Sequence, residues 1–258
     1  MDVLRKQAGI QEEVEAQTDK LRQAAVILEQ ALVARAQAAH LYEQILMLDE
    51  EDAVALAHLD RLYAETREHS ELARVLERRA SESSGAAKAE VLLRLGKVRV
   101  ESLGSAPKAV DAFEEIFELI DEGASYDAAL LSLDGIQHQP GQPDLSARIA
   151  QIVEPHWMAR GQAAKVVSAK EARLSVADGT DAKKQILLEI GALYEESMQQ
   201  PEMAFVALTR AFTLAPEDHE LGKRLEKLAE VADTTEELAA LFAQAVPRLQ
   251  EPQLQVDM

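Results

Sequence analysis

Four consecutive acids, Asp49, Glu50, Glu51 and Asp52, are the residues of this sequence whose type and spacing come nearest to chemistry. Adjacent carboxylates can share a divalent cation or divide general-acid and general-base roles. This run lies between two apolar-periodic segments, just ahead of the second. Acids there complement a helix N-terminus and stay solvated. Asp52 in particular reads as the cap of a helix starting near Ala53. Glu114–Glu115 and Glu195–Glu196 are neighbours along helices and point in different directions, so neither makes a carboxylate pair on one face.

The other signals of a reactive site are missing. The six histidines fall in neither HExxH nor Glu-x-x-His spacing. His138 and His156 flank turns and read as surface or capping residues. There is no GxGxxG, GxxxxGK[ST] or GxSxG; Gly96–Lys97 and Gly222–Lys223 are isolated pairs within helices. With no cysteine in the chain, thiolate nucleophiles, thiolate zinc sites and disulfides are excluded. The expectation is a protein that is not an enzyme, with no catalytic residue, no cofactor and no metal.

Composition points the same way. The 258 residues carry 27 Lys plus Arg against 46 Asp plus Glu, a net charge of −19. Such a surface repels phosphate backbones and anionic bilayers, so no nucleic acid and no membrane is expected as partner. The N-terminal sequence lacks the apolar stretch of a secretory signal, and no window reaches the ~20 apolar residues of a membrane span. A cytoplasmic protein is expected, monomeric or weakly homo-oligomeric. Hydrophobic residues at 47% supply a core, while abundant Ala, Leu and Glu with few Gly and Pro favour helices throughout.

The elements that position everything else are repeats. Laying Gly96 over Gly191 aligns Leu92 with Leu187, Leu95 with Ile190, Ala109 with Ala204, Ala112 with Ala207 and Phe117 with Phe212. A mid-helix glycine costs roughly 1 kcal/mol relative to alanine, so two in matching places need a packing reason. Weaker copies read Leu56, Leu59–Asp60, Tyr63; Leu21, Ala24–Ala25, Leu28; and Leu225–Glu226, Ala229. The glycine-equivalent positions become Ala25, Asp60, Gly96, Leu131, Glu154, Gly191 and Glu226. Their intervals are 35, 36, 35, 23, 37 and 35 residues. The short interval falls at residues 138–144, the one stretch with two close prolines, and reads as a lost or merged helix that bends the array. Two separate arrays are the other reading.

Leu187, Ile190–Gly191 and Tyr194, followed by Ala204, Leu208, Ala211 and Pro216, resemble the tetratricopeptide repeat. The turn between the two helices is one residue longer than the usual form. The resemblance implies an all-α, right-handed α-solenoid of antiparallel helix pairs, about thirteen helices in all. Residues 1–17 form an N-terminal amphipathic capping helix, 18–250 the array and 251–258 a polar tail. Ser70 is expected to cap a helix from Glu71, Thr234 and Glu237 to form a capping box, and Gly85, Gly104, Gly123, Gly161 and Gly179 to end helices. Trp157 falls at the repeat's Tyr-like core position. Val14, Leu21 and Leu28 make a short heptad-like stripe that suits a first-helix core face.

In tetratricopeptide arrays the first helix of each pair lines the inner, concave surface. That implies a partner-binding face made of Val54, Ala57, Arg61, Ala64 and Glu65 with Leu93, Lys97, Val100 and Glu101. Small and apolar side chains mixed with Arg61 and Lys97 suit a protein or peptide partner bearing an acidic or C-terminal carboxylate group. The clamp by which some of these arrays grip chaperone tails uses Lys, Asn and Arg. This chain has no Asn, so that clamp is not carried over. The expected function is a non-enzymatic adaptor or scaffold that holds a partner peptide or helix; a structural spacer or regulatory segment of a larger assembly protein is the alternative.

Overall fold

The computed structural model describes residues 2–30 and 34–245, with side chains from residue 11 onward. The tail at 251–258 and the side chains of Leu4 and Ala8 lie outside the described residues. Thirteen α-helices and no strand are found among them. In order they are α1 (Asp2–Gln30), α2 (Arg35–Leu48), α3 (Ala53–Thr66), α4 (His69–Glu82), α5 (Gly85–Glu101), α6 (Ala106–Leu119), α7 (Ala124–Gln137), α8 (Pro143–Ala159), α9 (Ala163–Val176), α10 (Thr180–Ala192), α11 (Pro201–Leu214), α12 (His219–Ala232) and α13 (Thr235–Ala245). Helix α1 runs unbroken through residue 17. A single π turn, Leu193–Ser197, extends α10 and lengthens its connection to α11.

The chain forms two compact units, residues 1–132 and 133–258, divided within α7. In the first, α1 packs on α2, α3 on α4 and α5 on α6. In the second, α8 packs on α9, α10 on α11 and α12 on α13. Connections of a few residues between helices packed along their length make each pair an antiparallel hairpin. Tyr42, Leu59, Leu76 and Phe113 are fully buried in the first unit, as are Ile190, Leu208, Phe212 and Leu225 in the second. Each such aliphatic side chain contributes about 1.5–3 kcal/mol by leaving water.

Pairs far apart in sequence repeat one another position by position. Laying Asp52 on Asp218 lays Leu59 on Leu225, Arg67 on Asp233, Leu72 on Leu238 and Leu76 on Phe242. Both acids are N-caps: Ala55 N–H donates to Asp52 Oδ1 at 2.7 Å and Leu221 N–H to Asp218 Oδ1 at 3.0 Å. Both helices then end in a left-handed residue, Arg67 at φ 60° and Asp233 at φ 55°. In each, the next N–H donates back to a carbonyl of the last turn, Glu68 to Tyr63 and Thr234 to Ala229, each at 3.0 Å.

Other ends differ from expectation. Helix α4 begins at His69 with Glu68 as N-cap, so Ser70 lies inside the helix and caps nothing. Thr234 Oγ1 has no hydrogen-bond partner, and the capping box with Glu237 does not form. Gly85 opens α5 instead of closing the helix before it. Gly161 does end α8: at φ 64° it lets Gln162 N–H reach the carbonyl of Trp157 at 3.0 Å.

Candidate functional site

Glycines at the repeat's central position are packing residues. A Cβ on Gly191 would lie 2.6 Å from Leu208 Cδ2, and one on Gly96 would overlap the Phe113 ring. The first helix therefore approaches the second closely, and the opposing large side chain fills the space a Cβ would need. Ala25 is the smallest substitute and is fully buried.

Acids at the same position solve the problem differently. Asp60 is 3% exposed and pairs with Arg79 of α4 and Arg94 of α5. Glu154, 8% exposed, pairs with Lys170 at 2.6 Å and with Arg173 of α9. Lys170 stands where Leu76, Phe113 and Leu208 stand in other pairs, and it also reaches Glu189 of α10 at 2.6 Å. Burial works to lower the Lys170 pKa, but hydrogen bonds to Glu154 and Glu189 outweigh it and hold the ammonium above its ordinary range. Glu226 occupies this position in α12 yet is exposed. Ala245 stands there where Arg79 stands in α4, so no opposing cation draws it inward.

The fourth position corrects the sequence reading. Leu131 is 63% exposed. Asp134, three residues on, takes the central place: Ala129, Leu130 and Leu133 before it are buried as Ala55, Leu56 and Leu59 are before Asp60. Asp134 pairs with Lys165 of α9 at 2.7 Å. Helices α7 and α8 thus both carry the first-helix pattern in succession. Trp157 is 6% exposed, at the place of Tyr63.

The residues expected to bind a partner lie on α3 and α5 of the first unit. Ala57, Arg61, Ala64 and Glu65 line one groove of about 460 Å³ together with Asp60 and Arg94. Val54, Leu93, Lys97 and Val100 do not line it. Val54 is 47% exposed, Lys97 is exposed, and Leu93 and Val100 are half-buried.

Arg61 is engaged within the protein. It pairs with Glu29 of α1 and with Glu65, which Arg35 also reaches at 2.8 Å. The Arg35 and Arg61 guanidiniums hold the Glu65 carboxyl below its usual range. Lys97 occupies on α5 the place of Arg61 on α3 and has no hydrogen bond or ion pair with a described residue. Arg94, Arg35 and Glu29 were not legible as parts of this face, because their pairings join different helices.

Beside Glu29 lies a ring contact between buried Tyr42 and half-buried His58. Tyr42 stacks on His58 with centroids 4.6 Å apart, and His58 Nδ1 lies 3.1 Å from Glu29 Oε2. Burial, with the charge of Arg22 second, holds the His58 imidazole below its ordinary value. His138, on the second unit, sits 2.6 Å from the Asp134 carbonyl and 3.0 Å from Ser168 Oγ, as a helix-end residue does. Among the described residues no group of three His, Asp or Glu side chains is arranged to hold a metal ion, and no helix is long and apolar enough to cross a membrane.

No protein-family model matches the chain, and no curated protein matches it in sequence. Among solved structures, one described as YrrB, a TPR protein with an unusual peptide-binding site, is 16% identical. The match covers 80% of this chain and 90% of that one, with a TM-score of 0.31. The TPR2AB domain of yeast Sti1, in its complex with pHSP90, is 13% identical over 90% of this chain and 91% of its own, with a TM-score of 0.34. Neither similarity assigns a role to any residue here. On the geometry of its own pairs, with a close-packed central position recurring from helix to helix, the chain is an all-α, tetratricopeptide-like helical repeat protein.

Proposed function

We propose that this protein is a non-enzymatic interaction adaptor that holds a peptide or helix of a partner protein on the first-helix face of α3 and α5. The observation that carries the reading is the groove between Ala57, Ala64 and the Arg61 and Arg94 guanidiniums. Two alanines leave room for a main chain to approach, and the surrounding charges give it polar edges. Lys97, without a described partner, is the cation on this face that a ligand carboxylate can engage without displacing an internal pair. A spacer within a larger assembly is the competing reading, and it needs no occupied groove.

The two are separated by Lys97→Glu, a change that breaks no described contact. An adaptor loses its partner in a pulldown with the folded variant. Unchanged capture removes Lys97 from the binding face, and a wild-type chain that enriches nothing above background favours the spacer. Arg61→Glu is a weaker test, since it also breaks the pair with Glu29.

A further inference from the structure

Laying Gly96 of α5 on Gly191 of α10 also lays Lys88 on Lys183 and Glu115 on Arg210. In the earlier pair these two residues neutralise each other: Lys88 Nζ meets the Glu115 carboxylate at 2.5 Å. In the later pair a second cation stands in the acid's place. Arg210 turns to α9 instead, where its guanidinium donates to both oxygens of Glu171 at 2.5 and 3.1 Å. Lys183 is half-buried, as Lys88 is, yet it has no hydrogen bond or ion pair with a described residue. The repeat keeps the lysine and loses its counter-charge.

That unmatched lysine opens on a cavity. Lys183 and Arg210 line a space of about 350 Å³ where α9, α10 and α11 meet. Small-ligand sites begin at about this volume. Glu171 is the one acid among the lining residues, so a single positive charge is in excess there. Leu174, Leu187 and Leu214 make the apolar wall. Ser175 completes the lining, but its hydroxyl donates to the Ala172 carbonyl at 2.7 Å. One excess charge beside three leucines selects a monoanion with an aliphatic body. A phosphate dianion would bring one charge too many and meet no free hydroxyl donor among the lining residues.

We propose that this cavity binds a small aliphatic carboxylate, whose charged end takes beside Lys183 the place that Glu115 takes beside Lys88. The Lys183 ammonium and the Arg210 N–H groups not spent on Glu171 donate to its oxygens, while the hydrocarbon lies over the leucines. Arg210 keeps its pair with Glu171, so binding displaces no described contact. The site lies in the second unit and is independent of the α3 and α5 face.

The test titrates the full chain, labelled at its leucine methyls, with hexanoate and with its neutral isostere hexanamide, read by NMR. Hexanoate should give saturable shifts at Leu174, Leu187 and Leu214, with hexanamide binding about tenfold more weakly. Lys183→Gln breaks no described contact and should bring hexanoate down to the affinity of the amide. Arg210→Glu restores the acid found beside Lys88 and should do the same, with the fold unchanged by circular dichroism. Lys97→Gln, in the first unit, should change the affinity less than about twofold. Acetyl-alanyl-leucine separates the sources: tighter binding than hexanoate assigns the carboxylate to a peptide end, weaker binding to a free acid. No saturable shift with hexanoate, equal affinity for acid and amide, or undiminished binding by Lys183→Gln or Arg210→Glu would overturn the proposal. So would equal weakening by Lys97→Gln, which would show general attraction to lysines.

Discussion

Glu154 and Lys170 meet at 2.6 Å inside the second unit, at the repeat positions where Gly191 and Leu208 meet in the following pair. One location in the repeat thus holds either a glycine under a large apolar side chain or an acid under a cation. In both, the two helices are locked at a fixed point; the chemistry differs while the place does not. That equivalence gives the stability predictions their form.

Lys170→Leu should destabilise the second unit by about 3–5 kcal/mol, because Glu154 and Glu189 lose a shared buried partner. Glu154→Gly/Lys170→Leu, which recreates the arrangement of Gly191 and Leu208, should recover most of that loss. Urea denaturation of the three proteins measures it. A double variant no more stable than the single one would break the equivalence.

Glycines of different surroundings should respond in opposite senses to alanine. Gly191→Ala places a methyl 2.6 Å from Leu208 Cδ2 and should cost about 1–3 kcal/mol despite the gain in helix propensity. Gly222→Ala meets only Phe212 and Phe242, at 3.7 and 4.0 Å, and should be neutral or stabilising by up to about 1 kcal/mol. Melting temperatures of the two variants should move apart from wild type.

Asp60 and Glu226 share a repeat position but not an environment. Asp60→Asn leaves Arg79 and Arg94 without their common carboxylate and should cost about 3 kcal/mol. Glu226→Gln changes an exposed side chain and should stay within about 0.5 kcal/mol of wild type. Similar losses from both would show that Glu226 is held in solution as Asp60 is.

His58 sets a pH dependence in the first unit. Its folded pKa is depressed, so the unfolded chain binds the proton more readily. Stability is full well above the unfolded value of about 6.5 and falls as pH drops through it toward the folded pKa. His156, shifted the same way by burial, adds to this in the second unit. The melting temperature should decline between pH 7.5 and 5.5, and His58→Gln should make that decline shallower. An unchanged slope would remove His58 as a contributor.

Much of the fold was legible because its signals are local. The Asp52 cap, the Gly96 and Gly191 copies and the core place of Trp157 all follow from spacing within one or two helices. The fourth repeat position was misplaced because Leu130, Leu131 and Leu133 are all apolar. Three close leucines fit more than one helical phase, and packing puts Leu131 outward. The Ser70 cap failed because α4 already begins at His69 behind Glu68, and the Thr234 capping box failed where the Thr234 N–H closes the turn that ends α12. Asp60 and Glu154 gave no hint that they are buried, since their cations lie 16 to 34 residues away on other helices.

The adaptor reading is tested most directly by panning a phage-displayed peptide library on the wild-type chain and measuring the selected peptides against wild type and Lys97→Glu. Peptides with an acidic or free C-terminal carboxylate group beside apolar residues should be enriched, and their affinity should drop about tenfold on the variant. No enrichment above background would contradict the adaptor reading, and equal affinity for both proteins would remove Lys97 from the binding face.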